Sequence, residues 1–250
     1  MNQPFILFFF LLTMALTGCS KDKRAEQKPA CRITSMTSPD ESYTFTYNAE
    51  GKLTATKSSG TMVTNFTYSG NTVTALTISG SYYNKTTYTI NSTGQVTRAR
   101  MEYNTAGTLW TEKTFEYNGA LMAKETHTTK DGFTSVRSYQ WSNGNLQRIS
   151  FSNSDNSWQK IEYEYYPDQP YQDGDMHIWD KMSAGVEIYR SKNLVKKYTS
   201  TFADAGSTDP ATEITNYSYA FDSDGKIRSM TASSGSYTQV YQYQHQCDTY

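Results

Sequence analysis

One unit recurs along this chain and limits what it can fold into. It runs aromatic, any residue, aromatic, a short polar turn, Gly, and then an aliphatic residue. It reads Phe45-Thr-Tyr47-Asn-Ala-Glu-Gly51-Lys-Leu53, then Phe66-Thr-Tyr68-Ser-Gly70-Asn-Thr-Val73. Further copies begin at Tyr88, Met101, Phe115, Tyr139 and Tyr219. Alternation puts the two aromatics on one face of a strand and their polar neighbours on the other. Asn tolerates left-handed backbone angles and Gly supplies positive φ, so the polar stretch turns the chain back. Each copy is therefore a β-hairpin. A lone hairpin cannot bury its aromatic face, so the copies must stack into one sheet. Short turns between successive hairpins give an antiparallel meander. At about a dozen residues per strand and turn, roughly 13 to 17 strands are expected. A twisted sheet that wide curls into a barrel or splits into two layers. The fold class is all-β: a large antiparallel meander of hairpins closing into a barrel-like sheet, in one domain over 31–250.

One insert, at about 167–195, breaks the pattern. It contains two prolines and an acidic cluster, and lacks the aromatic pair. Met176, Trp179 and Met182 share one side of a short helix over Met176–Met182, with Asp175 placed to cap it. A barrel this wide has a lumen its own strand side chains cannot fill, and this segment can plug it. A second loop, rich in Gly, Ser, Asp and Pro, covers Ala205–Ala211.

The N-terminal segment belongs to export rather than to the fold. Phe5–Leu16 is apolar but too short to span a bilayer as a helix, and reads as a signal-peptide core. Leu16-Thr17-Gly18-Cys19 resembles the lipobox of bacterial lipoproteins. The resemblance implies a signal peptide over 1–18, cleavage before Cys19, and acylation of that cysteine, with 19–30 as lipid anchor and tether. The four residues Met1–Pro4 depart from the pattern in carrying no Lys or Arg. Two cysteines remain, Cys31 and Cys247, at opposite ends of the repeat region. An oxidising compartment favours a disulfide between them, two free thiols being the alternative.

The repeat resembles the tyrosine–aspartate (Rhs-type) repeats of bacterial surface proteins, with Asn or Ser often in place of Asp. Taken together, the lipobox, the repeats, the flanking cysteines and Ser191-Lys192-Asn193-Leu194-Val195 resemble a family of Gram-negative lipoproteins, a domain of unknown function with a porin-like fold. That resemblance implies a barrel-like sheet, an outer-membrane address at the cell surface or periplasmic face, and no established activity.

Chemistry-bearing motifs are few. Net charge is −1, which gives no basic field for nucleic acid. His127, His177 and His245 are not spaced for a metal on one strand or helix face. No nucleophile elbow or phosphate loop is present, and no cofactor is implied. Asp173-Gly174-Asp175 and Asp222-Ser223-Asp224-Gly225 carry hard oxygen ligands, but the second fills the ordinary turn position of the repeat. Glu162 and Glu164 share a strand face beside Lys160 and read as solvated alternating charge. The surplus is aromatic: 21 Tyr, 11 Phe and 4 Trp, most of it expected in the core. Trp158 and Trp179 are the candidate ligand platforms.

A lipid-anchored, non-catalytic β protein that binds or scaffolds fits this inventory, with a glycan or another envelope protein as partner. An outer-membrane pore is the alternative, and a polysaccharide-acting enzyme a more distant one. Against the pore, apolar runs are short for membrane strands. Reading by twos from Leu53, Lys57 also intrudes on the apolar face.

Overall fold

The computed structural model describes residues 31–60 and 62–247. Cys19 and the signal segment lie outside them. The strands are β1 (Cys31–Thr37), β2 (Ser42–Tyr47), β3 (Leu53–Ser58), β4 (Val63–Ser69), β5 (Thr72–Ser79) and β6 (Tyr82–Ile90). They continue as β7 (Val96–Glu102), β8 (Trp110–Asn118), β9 (Leu121–Thr129), β10 (Thr134–Ser142), β11 (Asn145–Asn153) and β12 (Trp158–Pro170). After one helix, α1 (Ile178–Ala184), come β13 (Asn193–Ala203), β14 (Ala211–Phe221), β15 (Ile227–Ser234) and β16 (Tyr237–Cys247). Each strand pairs antiparallel with its sequence neighbours, and β1 pairs with β16, so sixteen strands form a closed barrel. Closure removes both sheet edges, which would otherwise template aggregation. At the seam Cys31 and Cys247 face each other in the ladder and are disulfide-bonded.

The repeat gives the barrel a direction. Six of the seven copies fall at the ends of even-numbered strands, just before a turn, so they gather at one end; the Met101 copy ends β7 and turns at the opposite mouth. Phe45, Phe66, Tyr88, Phe115 and Tyr139 are buried and point inward. Three turns at this end share one chemistry. Asn48 Oδ1 accepts from the backbone N–H of Glu50 and Lys52, Asn91 Oδ1 from Thr93 and Gln95, and Asp222 Oδ1 from Asp224 and Lys226. Gly51, at φ 77°, closes its turn in the left-handed region.

Seven of the eight odd-numbered strands carry a register shift just after their first inward aliphatic. The extra residues are Thr34, Thr54, Thr97, Ala123, Gln147, Lys196 and Arg228. A bulge moves every later side chain to the other face. Leu53 and Thr56 therefore point inward, while Ala55 and Lys57 point outward. The apparent intrusion of Lys57 on the apolar face is corrected by the bulge at Thr54.

The same bulges anchor a belt of hydrogen bonds inside the barrel. The second aromatic of an even strand, or in β14 the first, Tyr219, reaches back to the carbonyl of the aliphatic that precedes the preceding strand's bulge. Tyr47 donates to Ile33, Tyr68 to Leu53, Tyr117 to Val96, Trp141 Nε1 to Met122, Tyr165 to Leu146 and Tyr219 to Val195, at 2.5–2.8 Å. His245 Nε2 completes the ring on Ile227 at 2.9 Å. The exception is Val73, whose strand β5 pairs with β4 without a bulge and whose counterpart is Ile90.

Residues 171–192 return through the lumen at the turn end. Trp179 meets Tyr43 and Tyr241 edge-on, His177 packs on Tyr163 and Tyr189, and Gly185 lies against Phe66. The helix begins at Ile178, two residues later than the Met176 start read from the sequence, and its N-cap His177 makes no side-chain cap bond. Asp175 serves elsewhere. Fully buried, it accepts from the backbone N–H of His177 and of Val195. It ties the insert to β13 instead of capping the helix.

Candidate functional site

Moving from the turn end toward the other mouth, the inner wall changes from aromatic to polar. Thr56, Thr77, Thr86, Ser135 and Ser200 are buried there. In register with the aromatic pairs stand three charged groups. Lys113 lies two residues before Phe115, Glu125 opposite Phe115, and Arg137 two before Tyr139 and opposite Glu125. The buried Glu125 carboxylate is held from three sides. Lys113 Nζ is 3.1 Å from Oε1, Arg137 Nη1 is 3.3 Å from the same oxygen, and Tyr139 Oη donates to Oε2 at 3.1 Å. The Arg137 guanidinium stacks on Phe151 at 4.6 Å.

These groups border a cavity of about 210 Å³ between the strand wall and the insert, which contributes Asp180, Ile188 and Tyr189. Lys113 and Arg137 are a quarter and a third exposed, so solvent reaches this level. Burial raises the Tyr139 phenol, and the Glu125 charge raises it further. Tyr88 is pushed up to about 12, chiefly by burial and then by Asp180. Tyr163 and Tyr189 are raised well above the ordinary range by burial, with Asp180 adding to it. Along the wall, burial and then the Lys113 charge lower His127. All four phenols are thus held neutral, as hydrogen-bond donors.

At the mouth the rim is apolar. Met62, Tyr82, Tyr103, Leu109, Phe133 and Tyr237 are exposed large side chains, all in or beside the connections at that end. Trp158 joins them on the outer face, 39% exposed. Trp179, the other candidate platform, is inside the barrel between two tyrosines, so the fold does not bring the pair together. Asp173 pairs with Lys181 at 2.7 Å, and no cluster of three metal-ligand side chains occurs among the described residues.

The outer wall carries the opposite polarity. Pairs cross neighbouring strands outside the barrel: Arg98–Glu112, Lys85–Glu102 at 3.2 Å, Lys124–Glu116 at 2.9 Å, Arg148–Glu162 at 2.7 Å and Lys197–Glu164 at 2.8 Å. Lys160 adds a second cation to Glu162. Exposed pairs contribute at most about 1 kcal/mol each. They matter here for the medium they require.

These features define a closed sixteen-stranded antiparallel barrel, aromatic within, charged without and crossed by its own insert. Solved structures share the fold. A porin-like protein from Bacteroides uniformis matches at TM-score 0.57 and 15% identity, over 86% of this chain and 96% of that one. A porin-like protein from Bacteroides vulgatus matches at TM-score 0.60 and 13% identity, over 85% and 97%. No protein-family model and no curated protein matches the chain. The tyrosine–aspartate repeat and lipoprotein-family resemblances gain no support from them.

Sequence reasoning missed Lys113, Glu125 and Arg137. The signal was present: Lys113 and Arg137 keep the two-residue phase of the aromatics that follow them, which places both inside.

Proposed function

We propose that this chain is a cell-envelope protein, tethered by a lipid on Cys19, whose barrel is a non-catalytic binding cup rather than a membrane pore. Its ligand enters by the mouth opposite the hairpin turns and rests on the insert. One observation carries the reading: the barrel's polarity is inverted relative to a membrane barrel, which is apolar outside and polar within. Arg or Lys at the bilayer midplane costs about 2–4 kcal/mol in such barrels. The outward Lys85, Arg98, Arg100, Lys124, Arg148, Lys160 and Lys197 are spread along the wall from the turn end toward the mouth, and each that fell near the midplane would carry that cost. The insert adds to this, since its side chains pack against the inner wall at Tyr43, Phe66, Tyr163 and Tyr241. The word porin in the names of the two structural neighbours favours a pore, and that is the competing reading.

Purification of residues 20–250, which include every described element, tests the choice. The cup reading expects a protein that stays dispersed and folded without detergent and gives no conductance steps in planar bilayers. A protein that stays folded only in detergent, and conducts, would overturn it.

A further inference from the structure

The cavity above α1 carries charge of both signs on facing walls. On the strand wall, Lys113 and Arg137 share the single carboxylate of Glu125, whose second oxygen takes the Tyr139 hydroxyl. Arg137 Nε is buried there with no hydrogen-bond partner. Two cations on one anion leave that wall net positive, with N–H donors to spare. On the insert wall stands Asp180, its side chain 49% exposed, with His177 Nδ1 3.7 Å from its carboxylate. The phenols of Tyr88, Tyr163 and Tyr189 line the same space and feel the Asp180 charge. Phe115, Ile149 and Ile161 add apolar surface to the strand wall of the cavity. The volume, about 210 Å³, equals that of about seven waters in the liquid.

We propose that this cavity binds a small zwitterion, a free α-amino acid or a dipeptide, with its carboxylate at Lys113 and Arg137 and its ammonium at Asp180. The inference rests on the binding-cup reading and names its ligand class. A partly desolvated charge left without a partner is costly. A ligand with a single charge satisfies one wall and leaves the other unmatched. A neutral sugar satisfies neither. A zwitterion matches both, with the tyrosine hydroxyls completing its hydrogen bonds.

Calorimetric titration and thermal shift on residues 20–250 test it, with glycine, leucine and alanyl-alanine against acetate, methylammonium and glucose. The expected result is saturable binding of at least one zwitterion, with affinity more than about tenfold above acetate and methylammonium. The better of amino acid and dipeptide identifies the source. Arg137→Gln and Asp180→Asn should each weaken binding by about tenfold or more. Circular dichroism must show both variants folded, and Ile214→Ala, at an exposed β14 residue that does not line the cavity, should bind normally. Acetate binding as tightly as leucine, or unchanged affinity in folded Asp180→Asn, overturns the proposal. Glucose binding without amino-acid binding also overturns it but leaves the cup reading standing. No binding by any probe to the folded chain overturns the zwitterion. The cup itself falls only on the detergent and conductance measurements.

Discussion

Tyr117 Oη donates to the carbonyl of Val96 at 2.8 Å, and Val96 immediately precedes the bulge at Thr97. A bulge interrupts the ladder beside it, and the phenol of the next strand supplies a donor there. Tyr117→Phe removes that donor and leaves the ring in place. It should cost about 1–2 kcal/mol, a fall in Tm of about 3–6 °C for a barrel of this size. Tyr103→Phe, at an exposed phenol on the rim, should leave Tm unchanged. Equal effects from the two substitutions would mean the belt contributes nothing.

Gly185 is placed by two constraints at once. Its φ is +69°, and a Cβ there would lie 2.4 Å from Cδ1 of Phe66. Gly185→Ala should therefore destabilise by about 2–4 kcal/mol, combining backbone strain with overpacking. Gly94, at φ +84°, has nothing within 4 Å of such a Cβ. Gly94→Asn should be close to neutral, because Asn accepts that backbone and open space surrounds it. Thermal melts of the two variants separate a plug packed against the wall from one that merely hangs in the lumen.

The ladder bond partners Cys31 and Cys247 close a loop with a sequence separation of 216. In the chain-entropy view, such a link stabilises by up to about 5 kcal/mol through the unfolded state. The Cys31→Ser, Cys247→Ser double variant should melt well below the parent yet keep its β spectrum, since β1 and β16 retain their hydrogen bonds. Two reactive thiols in the unfolded, unreduced parent would show that the bond does not form.

Two histidines should bend the pH profile in opposite senses. For His177, burial alone lowers the pKa, but the Asp180 hydrogen bond and the Asp175 charge overcome it and raise the group above its usual value. Its contribution is full below about pH 6.5 and is lost as pH rises through the raised value. His127 is lowered by burial and then by Lys113. Its contribution is full above about pH 6.5 and is lost as pH falls through the lowered value. His177→Asn should flatten the fall in Tm above pH 6.5, and His127→Asn should flatten the rise below it. Melts between pH 5 and 8 decide; parallel curves for parent and both variants would refute the assignment.

The barrel was legible because its instruction is local and repeated. The pair Phe45 and Tyr47, followed by Asn48 and Gly51, states strand, face and turn within seven residues. The bulges were not legible, because Thr54 or Thr97 looks like any strand threonine, and only pairing with the next strand reveals the extra residue. That is why Lys57 was assigned to the wrong face by counting in twos. The start of α1 was also misread. Asp175 has the composition of a cap, but its buried carboxylate is claimed by Val195, a partner twenty residues away. The cavity charges were half legible. Lys113 and Arg137 keep the phase of the inward aromatics, a signal that went unused, and their sharing a cavity with Asp180 depends on the path of the insert, which no local pattern encodes.

The seam disulfide also changes what damage can do to this molecule. With Cys31 bonded to Cys247, the described chain is a covalent ring. A protease that cuts once in an exposed connection, such as the loop at Gly206, converts the ring to a linear chain and releases nothing. Every strand keeps both neighbours, and the new ends lie at a loop instead of at the seam. Two cuts are needed before any strand can leave.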